Sequence, residues 1–120
     1  MTLMIGRLDS VVLDCPDPGA LAGFYRELLG MHLVKDEGDR VTIRTDSDAP
    51  ALAFQRVACF RPPVWPDPDR PQQFHLDVRV SDIDVAEQRA LAAGARPLTG
   101  GGPGLRVYAD PVGHPFCLVA

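Results

Sequence analysis

The sequence predicts an α+β fold built from two similar halves, each arranged as β-α-β-β-β. A strand, turn, helix and glycine follow one another at residues 7–30 and again at 74–94. Three strand-like runs follow each copy, and a proline-rich stretch lies between the halves. With 120 residues, 46% of them hydrophobic, the chain has the size and composition of one compact globular domain.

The first module covers about residues 5–58. Apolar residues alternate from Leu8 to Cys15, which predicts a strand, and a Pro-Asp-Pro turn follows. Asp17 in this turn can accept hydrogen bonds from the free N–H groups of a helix start, and Gly30 can end the helix in the left-handed conformation. The apolar stripe of the helix is Leu21, Phe24, Tyr25 and Leu28, and further strands are expected at 31–36, 40–46 and 51–58.

The second module covers about residues 72–120 and begins with the segment FHLDVRVSD, residues 74–82. This segment alternates without a break, which predicts a strand with Leu76 on its apolar face and His75 on its polar face. Asp82 and Gly94 are expected to begin and end a second helix with a weaker apolar stripe. That stripe is Ile83, Ala86, Ala90 and Ala93, and later strands are expected at 95–99, 105–109 and 115–120.

Residues 59–71 are interpreted as the linker, because this region is rich in proline, which continues neither a helix nor a sheet. Neither half is long enough to bury a good core by itself. The two sheets are therefore expected to pair or pack within a single domain, with helices covering one face.

Composition excludes several classes of function. The formal net charge is -4 and no basic run is present, so nucleic-acid binding is not expected. No segment approaches the roughly 20 apolar residues of a membrane helix. The three cysteines include no C-x-x-C pair, which argues against a disulfide framework and a zinc knuckle. We expect a cytoplasmic protein in a reduced compartment.

Three stretches together resemble the vicinal oxygen chelate superfamily: FYRELLG, HLDVRVSDIDVAEQRALAAGAR and ADPVGHPFCLV. This superfamily includes glyoxalase I, bleomycin resistance proteins, extradiol dioxygenases and many small glyoxalase-like proteins. The resemblance implies that the two βαβββ modules form a half-open mixed-sheet barrel with helices on its outer face. In metal-dependent members, a divalent ion lies on four side chains, one from the first and one from the last strand of each module.

Applied to this chain, the resemblance places the four ligand positions at Ser10, Gln55, His75 and Cys117. Metal-dependent members usually carry glutamate where Cys117 stands, and serine is a poor ligand for such ions. None of the four is a carboxylate, so we expect a degenerate site that holds no complete metal centre. Zinc or another soft metal on His75 and Cys117 remains chemically feasible.

The alternation of the first strands predicts which side chains face the cleft. His75, Asp77 and Arg79 should share the cleft face with Ser10 and Asp14, and we take Asp14 as the repeat counterpart of Asp77. Phe54 and Trp65 complete the candidate ligand-binding residues. Each of these candidate residues also has a purely structural interpretation. The polar strand face can be simply solvated, His75 can be hydrogen-bonded within the sheet, and Cys117 can fill the core. Trp65 can act as a lid, a dimer anchor or a linker aromatic.

Two functions of different class follow. The first is a metal-independent protein that binds a small molecule in the cleft between modules, as bleomycin resistance proteins do. The alternative is a metal-dependent lyase, isomerase or dioxygenase of the glyoxalase type. In that enzyme His75 would be a metal ligand or acid-base group, and Asp77 would orient it. A purely assembly-forming role is a third hypothesis. A homodimer is expected, because two short modules leave open sheet edges.

Overall fold

The computed structural model describes residues 7–72 and 75–120 and contains two helices and eight strands in that part of the chain. The order is β1 (Ser10–Cys15), α1 (Pro18–Leu29), β2 (His32–Asp36), β3 (Arg40–Arg44), β4 (Ala51–Arg56), β5 (Leu76–Arg79), α2 (Ile83–Ala93), β6 (Arg96–Pro97), β7 (Leu105–Ala109) and β8 (Pro115–Val119). The predicted α+β fold of two βαβββ modules is therefore confirmed. The strand prediction for Phe74 lies outside the described residues.

The chain divides into two compact units, one ending at Phe60 and the other beginning at Arg61. The first unit holds a four-stranded sheet in the order β1-β4-β3-β2, and the second holds one in the order β5-β8-β7-β6. In each sheet the first and last strands of the module pair in parallel, and the remaining pairs are antiparallel. Both sheets are mixed and open.

The proline-rich segment belongs structurally to the second unit rather than standing between the two. The indole Nε1 of Trp65 donates a 2.7 Å hydrogen bond to the carbonyl of Thr99. Pro62 lies so close to Gly113 that a Cβ atom there would approach the Pro62 Cβ to 2.9 Å. Proline keeps this segment out of the sheet but does not prevent it from packing against the unit that follows.

Helix α1 begins and ends where the sequence predicts. The Asp17 side chain accepts a hydrogen bond from the N–H of Ala20, and Gly30 adopts a left-handed conformation with φ 67°. The helix buries five side chains against its sheet, among them Tyr25, whose ring stacks on Phe54 at a centroid distance of 5.5 Å. A buried row of Leu13, Phe54 and Val41 therefore lies beneath α1.

Helix α2 is capped in the same way but packs differently. Asp82 accepts hydrogen bonds from the N–H groups of Asp84 and Val85, and Gly94 follows the last turn. Within α2, all of whose residues are described, only Ala90 is buried. Polar side chains instead connect this helix to β7: Arg106 contacts Asp84 and Glu87, and Tyr108 contacts Glu87. Each sheet thus has one face covered by its own helix.

Neither α1 nor α2 has the length and apolarity needed to cross a bilayer, and no other helix occurs in the described residues.

Candidate functional site

Two of the predicted site residues meet on the second sheet, on the face opposite α2. Asp77 lies in β5, and His75 stands immediately before that strand. Residues two apart on a strand point to the same side, about 7 Å apart at their Cβ atoms. Here the side chains bend toward each other, so that His75 Nε2 lies 3.3 Å from Asp77 Oδ1. Both remain open to solvent, with side-chain exposures of 41% and 58%.

Cys117 completes this cluster from the neighbouring strand. The parallel register of β5 and β8 places Cys117 directly beside Asp77. Only 7% of Cys117 is exposed, whereas its two neighbours in β8, Phe116 and Leu118, are fully buried on the helix side. The donor atoms of His75, Asp77 and Cys117 all lie within 4.8 Å of one another. Burial raises the pKa of the Cys117 thiol, and the charge and hydrogen bond of Asp77 raise it further.

A buried aspartate fixes the start of β8 and thereby the position of Cys117. Asp110 is fully buried, and one of its carboxylate oxygens accepts hydrogen bonds of 2.9–3.0 Å from the N–H groups of Val112, Gly113 and His114. The sequence patterns described above do not single out Asp110. The signal that could have found it is the motif DPVGH, because an aspartate shortly before a glycine is typical of side-chain-capped turns.

Arg79 and Trp65 also belong to the second unit. Arg79 points to the same side of β5 as Asp77, is exposed, and forms no ion pair with any residue in the described ranges. Trp65 flanks Gly100 together with Val107, the register partner of Cys117 on β7. A cavity of about 290 Å³ lies in the segment from Val64 to Gln72 and is lined largely by Trp65 and prolines.

The other candidates lie in the first unit and do not form a comparable cluster. Ser10 is half-buried at the start of β1, and Asp14 is exposed near its end. Asp14 pairs in register with Gln55, whose side-chain amide donates to the carbonyls of Asp39 and Arg56. Phe54 is fully buried on the helix-covered face. Gln55 lies beside Asp14, which is four positions beyond Ser10 in β1. Ser10 and Gln55 are therefore about 13 Å apart along the strand direction.

The structure corrects two of the predicted repeat equivalences. The helix caps Asp17 and Asp82 are 65 residues apart, which makes Val12, not Asp14, the counterpart of Asp77. Val12 pairs with Ala53 as Asp77 pairs with Cys117, so Ala53 rather than Gln55 corresponds to Cys117. Every residue of β4 from Ala51 to Phe54 is buried, so the strand shows no alternation from which its register could be read.

These positions can be compared with the four-ligand metal pattern that the resemblance implies. The first unit offers Ser10 and Ala53, and neither residue supplies a strong metal ligand. The second unit offers His75 and Cys117, together with the neighbouring carboxylate of Asp77. The two-module ligand set is therefore incomplete, whereas the second unit alone brings together three groups with the donor chemistry of a metal site.

Comparison with known proteins agrees with this architecture. The family model described as "Glyoxalase-like domain" matches residues 10–119. Among curated proteins, none matches the sequence.

Several solved structures share the fold. A glyoxalase/bleomycin resistance protein/dioxygenase family enzyme from Burkholderia phytofirmans PsJN is 16% identical, with a TM-score of 0.73 over 94% of this chain and 97% of that one. A fosfomycin resistance protein from Mesorhizobium loti is 13% identical, with a TM-score of 0.72 over 97% of this chain and 92% of that one. A glyoxalase-related enzyme from Fulvimarina pelagi is 20% identical, with a TM-score of 0.70 over 96% and 88%. At these identities the likeness concerns the fold.

Proposed function

Because the chain belongs to the glyoxalase-like domain family of the vicinal oxygen chelate superfamily, we propose that it binds a small polar molecule. The binding surface is the face of the second sheet opposite α2. One observation carries the proposal: the His75–Asp77 pair is exposed there and is flanked on the same strand face by Arg79, which has no ion-pair partner among the described residues. A free guanidinium beside an imidazole and a carboxylate can bind both acceptor and donor groups of a ligand.

The cavity beside Trp65 supports the same proposal. Its volume of about 290 Å³ is close to the lower end of ligand pockets, which are about 300 Å³ or larger. Its lining is mainly apolar, as in most sites for small organic molecules, and the hydrogen bond from Trp65 to Thr99 holds the indole in place. We infer that the apolar part of the ligand contacts Trp65, whereas its polar groups reach the strand face.

Two kinds of function, sequestration of a ligand and catalysis, are compatible with binding at this face. One of the structural neighbours is a resistance protein and another is an enzyme of a family that includes dioxygenases. The present chain lacks strong ligands at Ser10 and Ala53, and this favours sequestration of a ligand over the metal chemistry of the superfamily.

The test is a thermal-shift screen of small polar molecules against the 120-residue protein, followed by isothermal titration of the hits. A ligand present at 100 times its Kd stabilises the folded state by about 2.7 kcal/mol. We expect His75→Ala and Arg79→Ala each to weaken binding at least about tenfold, in line with the loss of a charged hydrogen bond. Arg89→Ala, an exposed change on α2, is the matched control and should bind normally. Equal binding by all three variants would place the ligand elsewhere.

A metal-dependent lyase, isomerase or dioxygenase is the second candidate, and the proximity of His75, Asp77 and Cys117 is the observation in its favour. In that enzyme Asp77 would itself be a metal ligand, whereas the sequence analysis gave it the role of orienting His75. Turnover of an oxygenated substrate that is lost with a chelator, restored by metal and absent in His75→Ala would favour this enzyme over the binding protein.

We also propose a homodimer. Strand β2 is an edge strand with every residue exposed, and its Leu33 and Val34 are 47% and 52% exposed. Apolar edges of this kind favour pairing with a second chain. Light scattering coupled to size exclusion should give the mass of two chains, and Leu33→Lys should shift it toward one. A wild-type protein that elutes as a monomer at high concentration would refute the dimer.

A further inference from the structure

We propose that the cavity in the segment from Val64 to Gln72 binds a protonated amine carried on an aromatic or other apolar body. Its volume of about 290 Å³ has room for a single ring with a short arm. The inference rests on the proposed function, because this cavity is where the apolar part of the ligand is placed there. It adds the chemical class of that ligand.

The polar groups that line the cavity are mainly hydrogen-bond acceptors. Asp67 brings a carboxylate, and no lysine, arginine or histidine is among the described residues that line the cavity. The indole N–H of Trp65 is already donated to the Thr99 carbonyl. The side-chain amide of Gln72 is the one remaining donor among these residues. A carboxylate between apolar walls favours a ligand that brings N–H groups and a positive charge.

Asp67 has a charge that the protein leaves without a counter-charge. Its Oδ1 accepts a 2.8 Å hydrogen bond from the N–H of Asp69. It forms no ion pair with Arg70 or with any other residue in the described ranges. Asp67 is half-buried, so solvent and salt screen its charge less than they screen that of an exposed aspartate. An ammonium group in the cavity supplies the missing positive charge.

Gln72 adds an acceptor that lacks a donor. Its Oε1 atom is buried, and no described residue donates a hydrogen bond to it. A buried acceptor without a donor is unfavourable, so a ligand that satisfies it gains affinity. The terminal torsion of a glutamine side chain is broad, and its rotation can turn Oε1 toward the cavity. Since an ammonium group has three N–H donors, one group can serve both Asp67 and Gln72.

Trp65 supplies the surface on which the ligand lies. Its indole is held by the hydrogen bond to Thr99 and lies beside Gly100, where a Cβ atom would be 3.9 Å from the ring. Backbone hydrogen bonds of 2.7 Å from Val64 and Asp67 close the surrounding loop. A cation within about 6 Å of a tryptophan ring is attracted to its face. Because the wall is ordered before binding, little conformational entropy is lost.

The experiment is a titration of the 120-residue protein with benzylammonium, followed by tryptophan fluorescence. Trp65 is the only tryptophan of the chain, so the signal comes from this cavity. Benzyl alcohol has a similar shape but no charge, and benzoate has the opposite charge. We expect a saturable change with benzylammonium and at least about tenfold weaker binding of benzyl alcohol, since charged hydrogen bonds are stronger than neutral ones. Benzoate should give no response.

Near-isosteric variants assign the contacts. Asp67→Asn keeps an acceptor for the Asp69 N–H but removes the charge, so it should weaken benzylammonium about tenfold and leave benzyl alcohol unchanged. Gln72→Met removes the acceptor at similar length and should weaken both probes several-fold without lowering the Tm. Asp69→Asn is the matched control, because Asp69 is an exposed aspartate of the same loop that does not line the cavity. It should bind benzylammonium as the wild type does.

Three results would overturn the inference. The first is equal affinity for benzylammonium and benzyl alcohol, which would show that the charge of the ligand has no importance. The second is an equal loss of benzylammonium binding in Asp67→Asn and Asp69→Asn, which would reduce the effect to the general charge of the loop. The third is the absence of any saturable change in Trp65 fluorescence.

Failure of this inference can be distinguished from failure of the proposed function. If ligands from the thermal-shift screen depend on His75 and Arg79 but Trp65 does not respond to benzylammonium, the proposed function stands and the amine is wrong. If benzylammonium binds through Asp67 but the screened ligands bind equally to His75→Ala, Arg79→Ala and the wild type, the amine stands and the strand face is wrong.

Discussion

Tyr108 on β7 donates a 2.7 Å hydrogen bond from its hydroxyl to Oε1 of Glu87 on α2. The tyrosine is fully buried, and its ring stacks on Phe116 at 5.5 Å. The other carboxylate oxygen of Glu87 accepts a 3.2 Å hydrogen bond from Arg106. Since Ala90 is the only buried side chain of α2, this carboxylate connects the helix to the sheet where apolar packing contributes little.

Loss of that carboxylate should destabilise the second unit. A hydrogen bond to a charged group contributes about 1.5–3 kcal/mol, so Glu87→Ala should lower the free energy of unfolding by about 2 kcal/mol. Urea denaturation followed by circular dichroism measures this change. Arg89→Ala on the same helix is the control and should have little effect. Equal stability of both variants would show that α2 is held by other contacts.

Removing the Asp110 carboxylate should cost more, because three N–H groups lose their acceptor inside the protein. We expect Asp110→Ala to destabilise the protein by about 3 kcal/mol or more and to loosen the start of β8. Hydrogen exchange at Val112, Gly113 and His114 should accelerate in this variant. Asp46→Ala is a suitable comparison, since Asp46 accepts similar bonds from Asp48 and Ala49 in an exposed turn. If the two variants were equally stable, burial of Asp110 would have no energetic importance.

Stability should fall in alkaline solution. Burial raises the pKa of the Cys15 thiol from 9.0 to about 11 and that of Tyr108 to about 12. A folded-state pKa above the unfolded value gives a stabilisation that is complete below the unfolded pKa and is lost as pH rises through the folded one. The unfolding free energy should therefore decline between about pH 9 and 12. Cys15→Ala should flatten the decline between pH 9 and 11. An unchanged slope in that variant would contradict the assignment.

The three thiols should differ in reactivity. Cys59 is exposed, whereas Cys15 and Cys117 are buried. The thiolate is the reacting species, and burial raises the pKa of both buried thiols. Alkylation at neutral pH followed by peptide mass spectrometry should label Cys59 first. Labelling of Cys15 before Cys59 in folded protein would be inconsistent with the burial described above.

One substitution should stabilise the protein. Gly23 is exposed within α1, and a Cβ atom there would meet no atom within 4 Å. Because alanine has the higher helix propensity, Gly23→Ala should raise the free energy of unfolding by about 1 kcal/mol. Gly101→Ala is the opposite case, since φ there is 97° and its Cβ atom would lie 2.5 Å from the carbonyl oxygen of Leu105. In thermal unfolding, the Tm of Gly23→Ala should lie above that of the wild type and the Tm of Gly101→Ala below it.

The sequence predicted the element order well because local signals define it. Asp17, Gly30, Asp82 and Gly94 each act at the helix end where they were expected, since caps depend on neighbouring backbone atoms alone. The site was predicted only in part. Alternation placed His75 and Asp77 on one face, but the contact of Asp77 with Cys117 depends on the register between strands 40 residues apart. Uniform burial of β4 likewise concealed that Ala53, not Gln55, lies opposite Val12.

The packing of Pro62 and Trp65 against the rest of the second unit determines where an expressed fragment of the second module should begin. A fragment that begins near residue 72, where the sequence pattern of the second module starts, would lack two contacts. It would lose Trp65, which donates a hydrogen bond to the Thr99 carbonyl, and Pro62, which packs beside Gly113. A fragment that begins at Arg61 keeps both. Attempts to express the second module separately, or to fuse it to another protein, should therefore include the proline-rich segment from Arg61 onward as part of the folded unit.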